Sequence, residues 1–288
     1  MKEFQLEIIR YIQQFMNPLL DNIFILITQL GEETLAIALM AILFFGYKKQ
    51  IGKKIMFFLL ASLTLNNSLK FLLRLPRPIG EVGVITLRAE TATGFSFPSG
   101  HAQMAGTLYP SLIKVIKKQW YNILTVVIVI LVALSRVYLG VHYPIDAIVG
   151  AFLGIAVVIG GELLFKLYKN ETYIFGITSF IFLPFAILFL FDGEAQSAAD
   201  FFKVYGLLIG VFAALEYEKR YINFKDSKIW KTRIIRVVLA MVIILGIKEG
   251  VKLITPDMFV FDFLRYFLMA FVGIGLYPHL FATLKIDR

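Results

Sequence analysis

The run Ser135-Arg136-Val137-Tyr138-Leu139-Gly140-Val141-His142-Tyr143-Pro144-Ile145-Asp146 holds the residues best suited to chemistry. His142 and Asp146 are four positions apart, with Pro144 between them. Proline favours the first position of a helix. His142 therefore stands just before a helix, and Asp146 lies in its first turn. A carboxylate placed there can reach an imidazole nitrogen, which is the arrangement of a nucleophile and the acid that orients it. Arg136 lies between two apolar stretches, where a guanidinium is costly unless it meets an anion or a carboxylate. The plain alternative is an Arg136–Asp146 pair that closes a helix junction.

Two upstream blocks carry more polar groups. One is Lys70 followed by Arg77-Pro78; the other is Phe97-Pro98-Ser99-Gly100-His101. A phosphate ester concentrates negative charge, and its transfer needs positioning and electrostatic stabilisation above all. Arginine forks match oxygens in pairs, and lysine supplies a point charge. Singly, Lys70, Arg77 and Arg136 read as interfacial charges reaching for water; on one side of a membrane, together, they make a phosphate site. Ser99, Gly100 and His101 open an apolar helix, whose N-terminus offers free amides and a positive dipole end. Gly100 lets the backbone approach an anion, and Ser99 also suits a helix N-cap. His101 beside such a nest suits an acid for a leaving oxygen; alone it reads as an interfacial histidine.

Taken in order, these blocks resemble the three-part signature of the type 2 phosphatidic acid phosphatase superfamily. That superfamily includes membrane lipid phosphatases, glucose-6-phosphatase and soluble vanadium haloperoxidases. The resemblance covers roughly residues 50 to 165, and every polar signature position is present. It implies a two-step reaction. His142 attacks phosphorus to form a phosphohistidine, and Asp146 orients the imidazole. His101 protonates the leaving group, then takes a proton from the hydrolytic water. Lys70, Arg77, Ser99, Gly100, His101 and Arg136 hold the phosphate oxygens. No metal or other cofactor is implied. His279, in the last apolar run, reads as structural.

These groups need a scaffold, and composition names its class. The 288 residues are 59% hydrophobic and 17% charged, whereas a soluble domain carries about 25% charged residues. The chain therefore reads as an all-α integral membrane protein. Cysteine is absent from the sequence, which excludes disulfides and thiolate metal sites. The net charge of +9 would suit nucleic acid, but the charge sits in short loops between apolar runs, as in membrane proteins. No nucleic-acid partner is expected; the partners are the bilayer and a membrane lipid phosphate.

A spanning helix needs about 20 apolar residues. On that measure about nine transmembrane helices are expected, at 21–46, 55–75, 101–116, 123–139, 145–167, 173–191, 201–216, 237–254 and 263–284. Residues 1–20 read as a short amphipathic interfacial helix, not a signal peptide, because no small-residue cleavage site follows a short apolar core. Residues 21–170 form the expected phosphatase core, and 171–288 a transmembrane extension without a motif of its own. The long segment from Arg74 to Gly100 reads as a functional loop. Glu32 and Glu33 read as interfacial charges.

Orientation follows from the basic loops. Lys48, Lys49, Lys53, Lys54, Lys114, Lys117, Lys118, Lys166, Lys169, the cluster from Lys219 to Arg236, Lys285 and Arg288 fall in one alternating set. The positive-inside rule makes that set cytoplasmic. The N-terminus is then outside, the C-terminus inside, and all three blocks extracytoplasmic. The expected function is hydrolysis of a lipid phosphate or pyrophosphate at the outer face of a cell membrane. Candidate substrates are undecaprenyl pyrophosphate, phosphatidylglycerophosphate and phosphatidic acid. The alternatives are a sugar phosphatase like glucose-6-phosphatase, and a transporter or flippase that only binds the phosphate. Binding needs cations, but it does not need an oriented nucleophile and a second histidine.

Overall fold

The computed structural model describes residues 1–168, 170–192, 195–256 and 258–283. Among them the chain is all-helical: α1 (Lys2–Gln13), α2 (Pro18–Gln29), α3 (Glu33–Ala41), α4 (Lys49–Leu73), α5 (Gly100–Ile116), α6 (Gln119–Tyr138), α7 (Pro144–Leu167), α8 (Glu171–Asp192), α9 (Ala195–Tyr221), α10 (Trp230–Ile254), α11 (Phe259–Ala270) and α12 (His279–Thr283). Turns of π-helix at Ile42–Tyr47 and Phe271–Leu276 follow α3 and α11.

The count of nine spans is corrected. Among the described residues six helices are long and apolar enough to cross a membrane, or seven if α2 and α3 make one bent span. The expected spans 101–116 and 237–254 are not among those six or seven by length and composition. α5 has only 17 residues, with Pro110 inside it. α10 is long enough, but Lys231, Arg233 and Arg236 crowd its start and Lys248, Glu249 and Lys252 its end. The uncharged run between Arg236 and Lys248 is shorter than a bilayer crossing. The end of the expected span 263–284, and the expected loop residues Lys169, Lys285 and Arg288, lie outside the described residues.

The chain folds as two compact units. One comprises residues 1–36 and 65–161; the other comprises residues 37–64 and the described residues from 162 onward. The first unit contains every residue of the three polar blocks. Its α6 packs against α5, α2 and α1. Pro18 opens α2, and the Asn17 side chain accepts from the Leu19 and Leu20 amides at 3.1 and 3.0 Å, a standard way to satisfy free helix-end donors. The Phe24 and Tyr138 rings stack at 4.1 Å, and Tyr138 Oη donates to Asp21 at 2.6 Å. α5 and α7 meet through small residues: a Cβ on Gly106 would lie 2.3 Å from the Ala151 carbonyl, and one on Gly154 2.3 Å from the Gln103 carbonyl. Close backbone approach of this kind is how membrane helices gain packing where lipid removes the hydrophobic drive.

α1 buries Leu6, Ile9 and Gln13. Gln13 Nε2 donates to the Ile85 and Tyr138 carbonyls at 2.7 and 2.9 Å, and its Oε1 accepts from the Ile85 amide at 2.9 Å. Arg10 donates to the Val82 carbonyl at 3.0 Å, and Lys2 pairs with Glu81 at 2.6 Å. The segment between Arg74 and Ser99 is thus held against α1 and the end of α6. Glu32, which reads as an interfacial charge, pairs with Arg88 of that segment at 3.1 Å.

In the second unit α9 packs against α8 and α11. Phe201 stacks on Phe189 at 4.5 Å and on Tyr205 at 5.4 Å. Lys49 and Glu218 form a buried ion pair at 2.6 Å, and Glu218 also accepts from the Phe224 amide at 2.9 Å. His279 Nε2 lies 3.2 Å from Tyr217 Oη.

Candidate active site

Local structure places His142 and Asp146 as the proline implies. α6 ends at Tyr138, and Gly140 turns the chain at φ +68°, where a Cβ would lie 2.2 Å from the Ile85 carbonyl. α7 then starts at Pro144 with Asp146 in its first turn. Asp146 Oδ2 accepts from the Tyr143 amide at 3.0 Å, and the Asp146 carbonyl accepts from the Ser99 amide at 3.0 Å. The start of α7 is thereby tied to the start of α5.

His142 is almost fully buried. Its Nδ1 lies 3.5 Å from Asp146 Oδ2 and 3.4 Å from Ser96 Oγ. Ser96 Oγ donates to Asp146 Oδ2 at 2.5 Å. On the other side of the ring, Arg77 Nη1 is 2.9 Å from His142 Nε2. A guanidinium can only donate, so Nε2 is the acceptor and Nδ1 carries the proton, facing Ser96 and Asp146. Arg77 is itself fixed by the carbonyls of Val141 at 3.0 Å, Gly94 at 2.9 Å and Thr93 at 2.6 Å. The imidazole lies between α6 and α7. Burial first, then the charges of Arg77, Arg136, Lys70 and His101, hold its pKa well below the ordinary 6.5. The neutral ring is the form that offers a lone pair.

The other expected residues lie at the end of α4, the start of α5 and the end of α6. Lys70 lies in the last turn of α4, and its charge acts on His142. Arg136 is fully buried; it donates to Thr28 Oγ1 at 2.8 Å and reaches Thr91 Oγ1 at 3.5 Å, not Asp146. The Arg136–Asp146 pair weighed from the sequence is therefore not formed. Ser99 occupies the N-cap position of α5, yet its hydroxyl makes no cap bond, and Gly100 begins the helix. Ser99 Oγ, His101 Nε2 and Arg136 Nε are buried atoms without a protein partner among the described residues. Buried polar atoms are nearly always satisfied, so a cluster of such groups beside three cations suits the oxygens of an anion.

Sequence reasoning missed Ser96, Asn66 and Gln103. Asn66 Nδ2 donates to Gln103 Oε1 at 2.8 Å and to the Pro98 carbonyl at 3.2 Å, bracing the turn that carries Ser99. Ser96 adjoins the Phe97–His101 block, but its role depends on α7 folding back upon it. Gln13 left a readable signal: it is a polar residue on the apolar face defined by Leu6 and Ile9.

Residues 52–173 match the PAP2 superfamily model, and residues 202–288 match the model for a PAP2 superfamily phosphatase transmembrane extension. The chain is 30% identical over 152 residues to an undecaprenyl-diphosphatase of Sulfolobus acidocaldarius, covering 52% of this chain and 73% of that one. It is 34% identical over 166 residues to phosphatidylglycerophosphatase B of Bacillus subtilis, covering 53% and 75%. The crystal structure of Aquifex aeolicus LpxE superposes with a TM-score of 0.50 at 31% identity, covering 54% of this chain and 93% of that one. The chain belongs to the PAP2 superfamily: it is a multi-pass membrane phosphatase, a hydrolase of phosphoesters or pyrophosphates, with the transmembrane extension.

Proposed function

We propose that the chain removes phosphate from the phosphomonoester or pyrophosphate head group of a membrane lipid, at the extracytoplasmic face, through a phosphohistidine on His142. The observation that carries this reading is the orientation of His142. Nδ1 faces Ser96 and Asp146, and Nε2 faces Arg77 at 2.9 Å. A lone pair on Nε2 thus points toward the cations that would hold the substrate.

The reaction follows from that placement. A phosphoryl group enters between Arg77, Lys70 and Arg136, and Arg77 exchanges Nε2 for a phosphate oxygen. Nε2 attacks phosphorus in line, and the P–O bond to the leaving group breaks. Asp146 and Ser96 stabilise the developing imidazolium through Nδ1–H. Burial first, then Arg136, Lys70, Arg88 and Arg77, hold the His101 pKa well below 6.5 in the free chain; the negative charge of the entering phosphoryl group raises it, so that His101 takes up a proton with the substrate and gives it to the leaving oxygen. Water then attacks the phosphohistidine, loses a proton to His101 and frees His142 and phosphate. The Ser99 hydroxyl and the amides at the start of α5 suit the equatorial oxygens, whose charge grows in the transition state.

A lipid substrate is favoured over a sugar phosphate by an apolar groove of about 790 Å³ lined by α1, α5, α6 and α7, including Pro144 and Ala147 beside the His142 turn. A hydrocarbon tail fits such a lining, and a sugar does not. The names of the relatives, an undecaprenyl-diphosphatase and a phosphatidylglycerophosphatase, support head groups of both the pyrophosphate and the monoester kind. The test is phosphate release by purified protein in detergent with EDTA. The panel is undecaprenyl pyrophosphate, phosphatidylglycerophosphate, phosphatidic acid and glucose 6-phosphate. Turnover of at least one lipid, and not of the sugar, is expected. Turnover of the sugar alone, or activity that needs added magnesium, contradicts the reading.

A further inference from the structure

The second unit contains a polar pocket of about 350 Å³ lined by Gln50, Lys53, Asn170, Glu171, Thr172 and Lys219. It shares no residue with the cluster around His142, and the reaction above makes no use of it. Lys53, in the first turns of α4, is only 7% exposed. It lines the pocket, and it makes no hydrogen bond or ion pair among the described residues. The nearby buried carboxylate of Glu218 accepts on Oε1 from Lys49 at 2.6 Å and from the Phe224 amide at 2.9 Å, while its Oε2 has no partner among the described residues. Glu171, in the same lining, and Glu218 place negative charge near the Lys53 ammonium without forming an ion pair with it, and that ammonium opens into the pocket, free to take an anion's oxygen.

The pocket also receives the N-terminus of α8, a helix of 22 residues. Asn170 caps it, accepting the Thr172 amide on Oδ1 at 3.3 Å. The Tyr173 amide donates to the Asn170 carbonyl at 3.2 Å, and the positive end of the helix dipole favours negative charge there, to which Glu171 of the first turn contributes. Lys219, exposed on the last turn of α9, adds a second cation. Glu171 is the one carboxylate among the lining residues, so the lining carries an excess of positive charge.

We propose that this pocket binds a phosphate group, separately from the catalytic site. Two ammonium groups, the positive end of α8 and the side chains of Thr172, Asn170 and Gln50 match an anion with several acceptor oxygens. The volume admits a substituted phosphate as well as the bare ion. The phosphate can therefore come from an anionic lipid head group or from free inorganic phosphate. The proposal does not depend on the substrate or on the phosphohistidine.

The chain has no cysteine, so Gln50→Cys places a single thiol at the pocket edge. Its alkylation rate is measured on the full chain in detergent, with and without inorganic phosphate. The rate is also measured in nanodiscs of phosphatidylcholine alone or with phosphatidylglycerol. Free phosphate is identified by severalfold protection in detergent, and a lipid head group by protection only with phosphatidylglycerol. In either arm Lys53→Met should abolish the protection, and Lys219→Met, at an exposed position, should weaken it. Phosphatase turnover of the Gln50→Cys protein serves as the folding control. No protection by either ligand, or equal protection in the Lys53→Met and Lys219→Met proteins, overturns the proposal.

Discussion

Arg77 Nη1 stands 2.9 Å from His142 Nε2 and covers the nitrogen expected to attack phosphorus. The contact fixes the tautomer, because arginine can only donate. Under the proposed reaction the substrate draws Arg77 away from Nε2 as it binds, so that one residue would both guard the lone pair and receive the phosphate.

That arrangement has a consequence for pH. The His142 pKa is depressed, by burial first and by Arg77 next, with Arg136, Lys70 and His101 adding to it. The ring stays neutral at and below the ordinary value of 6.5, and activity falls only as pH drops through the lower, folded-state value. The acid limb of kcat/KM, which reports the free enzyme, should therefore lie below pH 6.5. In Arg77→Met the loss of a cation raises the His142 pKa, so the limb should move to higher pH as overall activity falls. A wild-type limb above 6.5, or a shift toward acid in the variant, would contradict the assignment.

Ser96 is expected to position Asp146. Its hydroxyl donates to Oδ2 at 2.5 Å in a fully buried setting. A hydrogen bond to a charged group is worth about 1.5–3 kcal/mol, so Ser96→Ala should lower kcat about 10- to 100-fold while KM changes little. In an Asp146→Asn background the same substitution should cost much less, since the charge it steadies is gone. Equal losses in both backgrounds would mean that Ser96 acts only through folding.

Much of the site was legible because its chemistry is carried by uncommon residues in fixed local order. Arg136, His142 and Asp146 stand around one helix start, and Ser99, Gly100 and His101 at another. What could not be read depends on contacts between distant segments. Ser96 meets Asp146 across 50 positions, and Gln13 meets Ile85 across 72. The Arg136–Asp146 pairing failed for the same reason: Thr28, 108 positions away, takes the guanidinium instead. The span count failed differently. The apolar run of α5 is short, and an extension into the adjoining turns is expected, but the helix stops at 17 residues; the central apolar run of α10 hides how close the charges at each end lie.

Orientation is open to a direct labelling test. The basic loops lead us to expect the Val82 region outside and the Lys228 region inside. Val82 is 85% exposed, and the chain has no competing cysteine. An impermeant thiol reagent should label Val82→Cys in intact cells and label Lys228→Cys only after permeabilisation. The reverse pattern would put the His142 cluster on the cytoplasmic side.

The central claim is that His142 takes the phosphoryl group, and trapping the phosphoenzyme tests it most directly. The His101→Ala variant is the best trap. An aryl phosphate has a good leaving group and needs little acid help in the first step, whereas hydrolysis of the intermediate loses its base. General acid–base assistance is typically worth about 100- to 10,000-fold, enough for the intermediate to accumulate. The reaction is quenched in alkaline denaturant, which preserves phosphohistidine, and the peptides are weighed by mass spectrometry. The account predicts one added phosphoryl group on the peptide that contains His142, and none in the His101→Ala, His142→Ala double variant. Phosphate that remains on the protein after His142 is removed would contradict it.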